Sequence, residues 1–158
     1  MSKTHKFNAS LKWKGNLGTG TDSYTTYSRD FNIIGDKNHI IEGSSHPIFR
    51  GDGKKYNPEE MLIQALSSCH LLWYLHLCAD AGVIVEKYTD DADGDMEIVE
   101  GGKGKFTLVT LRPNVIVKDS SMIIKALELH DKAHEHCFIA SSVNFEVVCE
   151  PNVMVDLG

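Results

Sequence analysis

The chain lacks an excess of positive charge. Its 158 residues include 16 lysines and arginines against 22 aspartates and glutamates, a formal net charge of −6 at pH 7. A negative chain without a basic stripe repels phosphate backbones, so nucleic-acid binding is excluded as an expected function. The length and the 42% share of hydrophobic residues predict a single globular domain over residues 1–158.

A secretory signal is also lacking near the first residue. The opening residues MSKTHKF contain neither the apolar stretch nor the small-residue cleavage site of such a signal. We therefore expect a cytoplasmic location. In that reducing compartment the four cysteines are expected to be catalytic, metal-binding or buried thiols rather than a disulfide framework.

Charge is absent from one long stretch. Residues 61–79 contain no Asp, Glu, Lys or Arg, which is close to the length of a membrane span. The flanks are acidic rather than basic, and polar residues interrupt the stretch, so we expect no membrane insertion. The interrupting residues are Gln64, Ser67, Ser68, His70 and His76. A soluble helix that is apolar on nearly all sides needs cover on nearly all sides, which predicts an extensive homodimer.

The first third of the chain predicts a hairpin followed by a helix. Apolar and polar residues alternate from Phe7 to Trp13, which is typical of a half-buried strand. After a glycine-rich turn, residues 24–34 are predicted to return beside it, and Ile40 and Ile41 to add a short third strand. Asn57 is predicted to cap a helix that ends near Gly82.

The remainder predicts strands, a second helix and a last strand. Residues 83–99 and 105–118 are predicted as two long strands, with Pro113 at an edge or a bulge. Asp119 is predicted to cap the second helix, and residues 143–149 to form the final strand. This order indicates an α+β fold with antiparallel sheets.

Two cysteines lie in informative segments. Cys69 lies in NPEEMLIQALSSCH at residues 57–70, and Cys137 lies in AHEHCFIA at residues 133–140. The first segment resembles the helix of the OsmC/Ohr family of thiol peroxidases, in which Asn-Pro-Glu leads ten residues later to the peroxide-reducing cysteine. The second resembles the family's resolving-cysteine segment. Arg50 precedes the Asn-Pro-Glu, as in the OsmC branch.

The resemblance implies two intertwined subunits with antiparallel sheets wrapped around central helices. It implies a cysteine-based hydroperoxide reductase, acting on organic hydroperoxides through a Cys69 sulfenic acid that Cys137 resolves as a disulfide. An external dithiol, lipoyl-linked in the Ohr branch, would then reduce the disulfide, and no bound cofactor is required. The alternative is a non-catalytic OsmC-fold protein that binds a ligand or senses redox state.

A reactive Cys69 needs a nearby cation, because the thiolate is the nucleophile. Cys69 lies roughly 18 Å along its helix, too far for the helix dipole to help much. Arg50 is the first candidate, since the resemblance assigns that arginine to the site. Arg29 is the second candidate, because the Ohr branch carries its arginine early in the chain.

The resemblance also assigns Glu59 to the site, as the partner that orients the arginine. On one continuous helix Glu59 lies about 15 Å from Cys69. If it serves the site, it must reach the Cys69 of another subunit. A simpler reading is that Glu59 only interacts favourably with the helix N-terminus, and both can hold.

The other cysteines and the histidines are assigned other roles. Cys78 is rotated about 180° from Cys69 on the helix and is expected in the core, as is Cys149. His130, His134, His136 and Cys137, with His70 beside Cys69, form the rival metal set. No complete ligand motif accompanies them, so we expect no metal. The acidic residues 90–95 resemble a calcium loop but fail its ligand positions, which favours a solvated hairpin.

Overall fold

The computed structural model describes residues 3–35 and 39–156. The chain divides into two compact units, Met1–Met61 and Leu62–Gly158. The described residues form two α-helices and nine strands, which make an α+β fold. The expectation of a single domain over residues 1–158 stays a prediction.

The first unit contains one antiparallel sheet of three strands in the order β1-β2-β3. The strands are β1 Ser10–Trp13, β2 Phe31–Ile34 and β3 Ile40–Gly43. The predicted hairpin is therefore present, with shorter strands. The expectation that β1 is half-buried is wrong for the single chain, because all four of its residues are exposed.

Turns replace much of the predicted second strand. Asn16 accepts backbone N–H bonds from Gly18 and Gly20 through its side chain, which holds the glycine-rich turn closed. Turns continue through Tyr27, and only Phe31–Ile34 reach extended pairing. Local side-chain hydrogen bonds here take the place of the strand pairing that was predicted for residues 24–30.

The first helix, α1, runs unbroken from Pro58 to Asp80. Asn57 accepts a bond of 2.8 Å from the backbone N–H of Glu60 and donates its own N–H to the Glu60 carboxylate at 3.4 Å, a reciprocal cap. Gly82 follows the helix with φ +72°, a conformation that favours glycine. Both predicted ends are confirmed.

One face of α1 is buried and the remainder is largely not. The buried residues recur every four positions, as expected for one face of a helix, at Leu66, His70, Tyr74 and Cys78. The helix is long and apolar enough to cross a membrane by length and composition alone, which is weak evidence because core helices meet the same test. Only 22% of that window is buried in the single chain. Cover by a second subunit stays a prediction.

The second unit holds two three-stranded sheets, β4-β7-β9 and β5-β6-β8. Pairing is antiparallel in β4/β7 and β5/β6 but parallel in β6/β8 and β7/β9. The predicted α+β fold with antiparallel sheets is confirmed, and each of these two sheets also carries one parallel strand, β8 or β9. The strands are β4 Val85–Asp90, β5 Asp93–Ile98, β6 Gly104–Leu111, β7 Pro113–Val117, β8 Glu146–Cys149 and β9 Asn152–Val155.

Each predicted long strand is in fact two strands that belong to different sheets. The first divides at Asp91 and Ala92, and the second at Arg112. Asp90 fixes both corners, because its carboxylate accepts from the backbone N–H of Arg112 at 2.7 Å and from the Ser67 hydroxyl at 2.5 Å. Pro113 is the first residue of the central strand β7 rather than an edge or bulge residue, a position where its missing N–H is tolerated.

The second helix, α2, spans Ile123–His136. Asp119 caps the 3-10 turn that precedes it, accepting from the Ser121 N–H at 2.8 Å, so the predicted start is confirmed. Leu127 of this helix is 39% exposed. The buried residues of α2 are Ala126, Leu129, His130 and Ala133.

Two hydrophobic clusters form the core of the second unit. The larger one joins α1 and α2 to the β4-β7-β9 sheet through residues that include Tyr74, Val115 and Leu129. The smaller one is centred on Leu66, and it packs on β6 of the other sheet. His70 lies on α1 between these two contact points, so a polar residue sits where the two clusters meet.

Shortening a buried side chain of this core should lower the stability of the protein. Leu129 is 3% exposed, and Ile124 on the same helix is 73% exposed. We expect Leu129→Ala to lower the free energy of unfolding by about 2–5 kcal/mol, because it leaves a cavity. The control Ile124→Ala should change it by less than about 0.5 kcal/mol. Urea denaturation followed by circular dichroism measures both, and equal losses would contradict the assigned packing.

Candidate functional site

Cys69 lines an open groove on one face of α1. Positions 69, 72, 73 and 76 fall on that face by helical spacing, and Phe138 completes the lining. The groove has a volume of about 300 Å³. Apart from the Cys69 thiol and the imidazole of His76, the lining side chains are apolar. The groove can therefore accept an apolar molecule beside a half-buried thiol.

The segment after α2 forms the other wall. Phe138 packs edge-on against Trp73, with ring centroids 5.5 Å apart. Cys137 directly precedes Phe138 at the C-cap of α2 and is 1% exposed. Its sulfur accepts a bond from the backbone N–H of Ala140 at 3.4 Å. The helix end thus holds the second thiol behind the groove.

The structure brings the two predicted thiols together. Both are free cysteines, and the Cys69 side chain interacts directly with that of Cys137. Burial, with a smaller contribution from the neighbouring Cys69 and against the lowering effect of the Ala140 N–H, raises the pKa of the Cys137 thiol to about 11. Cys137 is therefore protonated at neutral pH, whereas Cys69 is the more accessible of the two.

The two candidate arginines have different surroundings within the first unit. Arg29 donates to the carbonyls of Tyr27 at 2.7 Å and Tyr24 at 2.6 Å. Its guanidinium also lies 4.1 Å and 4.4 Å from the centroids of those two tyrosine rings. Arg29 is thus engaged by its own loop.

Arg50 is less engaged and its backbone is strained. Its guanidinium lies 6.0 Å from the ring centroid of Tyr24 and makes no hydrogen bond or ion pair with residues 3–35 or 39–156. Its φ is +66°, a conformation that side chains other than glycine rarely adopt. Such strain is concentrated at functional sites.

Glu59 has an unsatisfied carboxylate oxygen. Its Oε2 is buried and has no hydrogen-bond partner in the part of the chain that the structure describes. A buried carboxylate oxygen requires a donor or a cation. Arg50 and Glu59 both belong to the first unit and the two thiols to the second, so the shared site of all four residues stays a prediction.

A third group of reactive side chains was missed by the sequence analysis. His70 of α1 and His130 of α2 lie with Nε2 and Nδ1 2.9 Å apart. The sulfur of Cys149, at the end of β8, lies 3.6 Å and 4.0 Å from those two nitrogens. Cys149 was expected only to pack in the core. His134 and His136 of the rival metal set do not join this group.

Burial controls the charge of these three side chains. It lowers the pKa of His70 to about 4, with Asp90 acting in the opposite direction. It lowers the pKa of His130 to about 3, and His70 adds to that effect. Burial, helped by nearby carboxylates, raises the pKa of Cys149 to about 12. At pH 7 all three groups are neutral.

A signal for this group does exist in the sequence. His70 continues the four-residue spacing of the buried face of α1, and His130 lies on the buried face of α2. Two histidines on core faces indicate a buried polar contact, but only the fold shows that they meet each other and Cys149.

Comparisons with known proteins agree with this architecture. The sequence model of the family described as OsmC-like protein matches residues 51–152. An OsmC-like protein of unknown function from Vibrio cholerae is 34% identical, with a TM-score of 0.82 over 94% of this chain and 100% of that one. The uncharacterized protein YmaD of Bacillus subtilis is 28% identical over 159 residues, covering 98% of this chain and 97% of its own.

A more distant structure shares the fold. An organic hydroperoxide resistance protein from Elizabethkingia anophelis is 17% identical, with a TM-score of 0.69 over 99% of this chain and 100% of that one. At that identity the likeness concerns the fold alone. The family match and the Vibrio cholerae relative, taken with the paired thiols, show that the chain belongs to the OsmC-like protein family.

Proposed function

We propose that this protein is a thiol-dependent peroxidase that reduces organic hydroperoxides with Cys69 and Cys137. The observation that carries the proposal is the position of the Cys69 thiol, which lines an apolar groove and interacts with the Cys137 thiol behind it. A nucleophile, a substrate-sized opening and a resolving thiol then occupy one place. The resemblance to the OsmC/Ohr family supports a reaction with peroxides, because it implies that the two matching cysteines reduce them.

The lining of the groove supports organic hydroperoxides over hydrogen peroxide. Leu72, Trp73 and Phe138 offer apolar surface to an alkyl or aryl group, and burial of such a group contributes about 25 cal/mol per Å². Hydrogen peroxide has no apolar surface to bury. Its turnover should therefore show the higher KM.

The proposed reaction cycle requires one external reductant. The Cys69 thiolate attacks the terminal oxygen of the hydroperoxide, the O–O bond breaks, and the alkoxide leaves as an alcohol after taking a proton. Cys69 is now a sulfenic acid. The Cys137 thiol, as its thiolate, attacks that sulfur and water leaves, which forms the disulfide. An external dithiol returns two electrons, and the family resemblance suggests a lipoyl-linked one.

Arg50 is the proposed cation for the Cys69 thiolate. Its guanidinium, which has no hydrogen bond or ion pair among the described residues, and its strained backbone support this role. The bonds of Arg29 to Tyr24 and Tyr27 disfavour the second candidate. Glu59, with its unsatisfied Oε2, is the proposed partner that orients the arginine. A carboxylate would hold a guanidinium through two parallel hydrogen bonds.

A homodimer is part of the proposal. The exposed apolar side chains of α1, such as Leu72 at 67%, need cover. The rise of an unbroken helix places Glu59 about 15 Å from the Cys69 of its own chain, so a site that uses both must draw on two chains. Two equivalent sites per dimer follow. A cytoplasmic location, where reduced dithiols are present, fits this cycle.

Replacement of the two α1 cysteines should separate chemistry from packing. Cys69→Ser should abolish consumption of cumene hydroperoxide, because serine is not a comparable nucleophile. Cys78→Ser, on the buried face of the same helix, should retain turnover. A coupled assay with dihydrolipoamide measures both. Normal turnover by Cys69→Ser, or one oxidation of the wild-type chain without cycling for any dithiol, would contradict a peroxidase and favour a redox sensor.

The arginines should differ in the first oxidation step. Arg50→Ala should slow the reaction of reduced protein with hydroperoxide by about tenfold or more, since one charge-assisted hydrogen bond is worth roughly 1.5–3 kcal/mol. Arg29→Ala should slow it less, and Arg50→Lys should recover part of the rate. Stopped-flow tryptophan fluorescence gives the rate constants. The reverse ranking of the two alanine variants would assign the role to Arg29.

The resolving step should depend on pH. Because burial raises the pKa of Cys137 to about 11, its thiolate fraction increases about tenfold per pH unit between pH 7 and pH 9. Disulfide formation from the sulfenic acid should accelerate accordingly. Quenched-flow trapping of the sulfenic acid with dimedone measures this step, with Cys137→Ser as the non-resolving control. A flat profile would show that the buried thiol does not carry the step.

A further inference from the structure

Three metal-binding atoms converge in the core of the second unit, away from the proposed peroxidase chemistry. They are Nε2 of His70, Nδ1 of His130 and the sulfur of Cys149, and all lie within 4.8 Å of one another. Each comes from a different element: α1, α2 and β8. The peroxidase cycle uses none of them.

Their spacing suits a small cation. Zinc binds histidine nitrogen at about 2.0–2.1 Å and cysteine sulfur at about 2.3 Å, so tetrahedral coordination separates two nitrogens by about 3.3 Å and a nitrogen from sulfur by about 3.6 Å. The observed nitrogen–sulfur distances are 3.6 Å and 4.0 Å, and the nitrogen–nitrogen distance is 2.9 Å. Shifts of a few tenths of an ångström would complete the geometry.

We propose that His70, His130 and Cys149 form a three-ligand binding site for a borderline-soft divalent cation of the zinc class. Two imidazoles and one thiolate are ligands that such cations prefer over the oxygen ligands of magnesium or calcium. Three protein ligands leave the fourth tetrahedral position for water or a small anion.

The surroundings hold the ligands in place. His70 and His130 are each 1% exposed. Tyr74 stacks on the His130 ring with centroids 3.8 Å apart and an angle of 14° between the planes. Cys149 is paired opposite Leu111 in the β6/β8 ladder. Ligands on packed helices and a paired strand lose little freedom when they bind a metal.

The local charge favours a cation. The carboxylates of Asp90, Asp131 and Glu150 all act electrostatically on Cys149, and Asp90 also acts on His70. A bound cation reverses the effect of burial on the thiol, because a coordinating thiol is deprotonated by its metal.

The competing arrangement is a histidine pair joined only by a hydrogen bond. In that pair one ring nitrogen donates to the other at 2.9 Å, and Cys149 is a neighbour without a role. With metal bound, the outward nitrogens, Nδ1 of His70 and Nε2 of His130, carry the protons, and both are buried without a partner among the described residues. The two arrangements differ in the role of Cys149, which binds the metal in one and has no role in the other. Tests of the site must therefore detect the Cys149 sulfur.

Binding of Co²⁺ tests directly whether the Cys149 thiolate is a ligand. The full-length protein, treated with chelator and titrated with Co²⁺ under reducing conditions, should bind about one ion per chain and show a thiolate-to-cobalt charge-transfer band. Cys149→Ser should lose the band and weaken binding by at least about tenfold. Cys78→Ser, a matched change at another core thiol, should retain both, as should Cys69→Ser. Substoichiometric binding, or a band that survives in Cys149→Ser, overturns the proposal.

A second measurement requires no variant. Zinc X-ray absorption on the loaded wild-type protein should give a first shell with one sulfur at about 2.3 Å and nitrogen or oxygen ligands at about 2.0–2.1 Å. A shell without sulfur, or with two sulfurs as from Cys69 and Cys137, contradicts the site. Because neither measurement uses peroxide, failure here leaves the peroxidase proposal standing, and failure of the peroxidase leaves this site standing.

Discussion

The uncharged run of α1 is the constraint on which the rest of the structure depends. Nineteen residues from Met61 to Ala79 carry no charged side chain, and the apolar ones among them are stabilised by removal from water. Within the chain only one face is buried, against two sheets and α2. The other faces are left for a groove and, in our proposal, for a second subunit.

The same helix separates two kinds of cysteine chemistry by rotation. Cys69 faces the groove, where it meets the thiol of Cys137. Its neighbour His70, turned by about 100°, faces the core and meets His130 and Cys149. Adjacent residues thus serve an accessible thiol site and a buried polar site. Burial explains the contrast, since it keeps Cys149 protonated and unreactive in the absence of a metal.

The sequence allowed prediction of features that depend on neighbouring residues. The cap at Asn57, the stop at Gly82 and the cap at Asp119 are local hydrogen-bonding or conformational effects, and each was found where expected. Pairing of Cys69 with Cys137 was predictable only through the family resemblance.

Features that depend on distant pairing were not predictable. The sequence did not show where the two long strands divide. Their corners, at Asp91 and Arg112, form where the Asp90 carboxylate accepts hydrogen bonds from Ser67 of α1 and from the backbone of Arg112. Strand β9 and the parallel pairings have no local signature. The histidine and Cys149 group unites residues up to 79 positions apart. Only the assembled core brings them together.

The most direct test of the central claim is peptide mapping of the protein after one equivalent of cumene hydroperoxide. The reduced full-length chain is oxidised, alkylated, digested without reductant and analysed by mass spectrometry. The account predicts one dominant cross-link, between the peptides that contain Cys69 and Cys137, with Cys78 and Cys149 recovered as alkylated thiols. A different cross-link, or Cys69 recovered unmodified while peroxide is consumed, would contradict it.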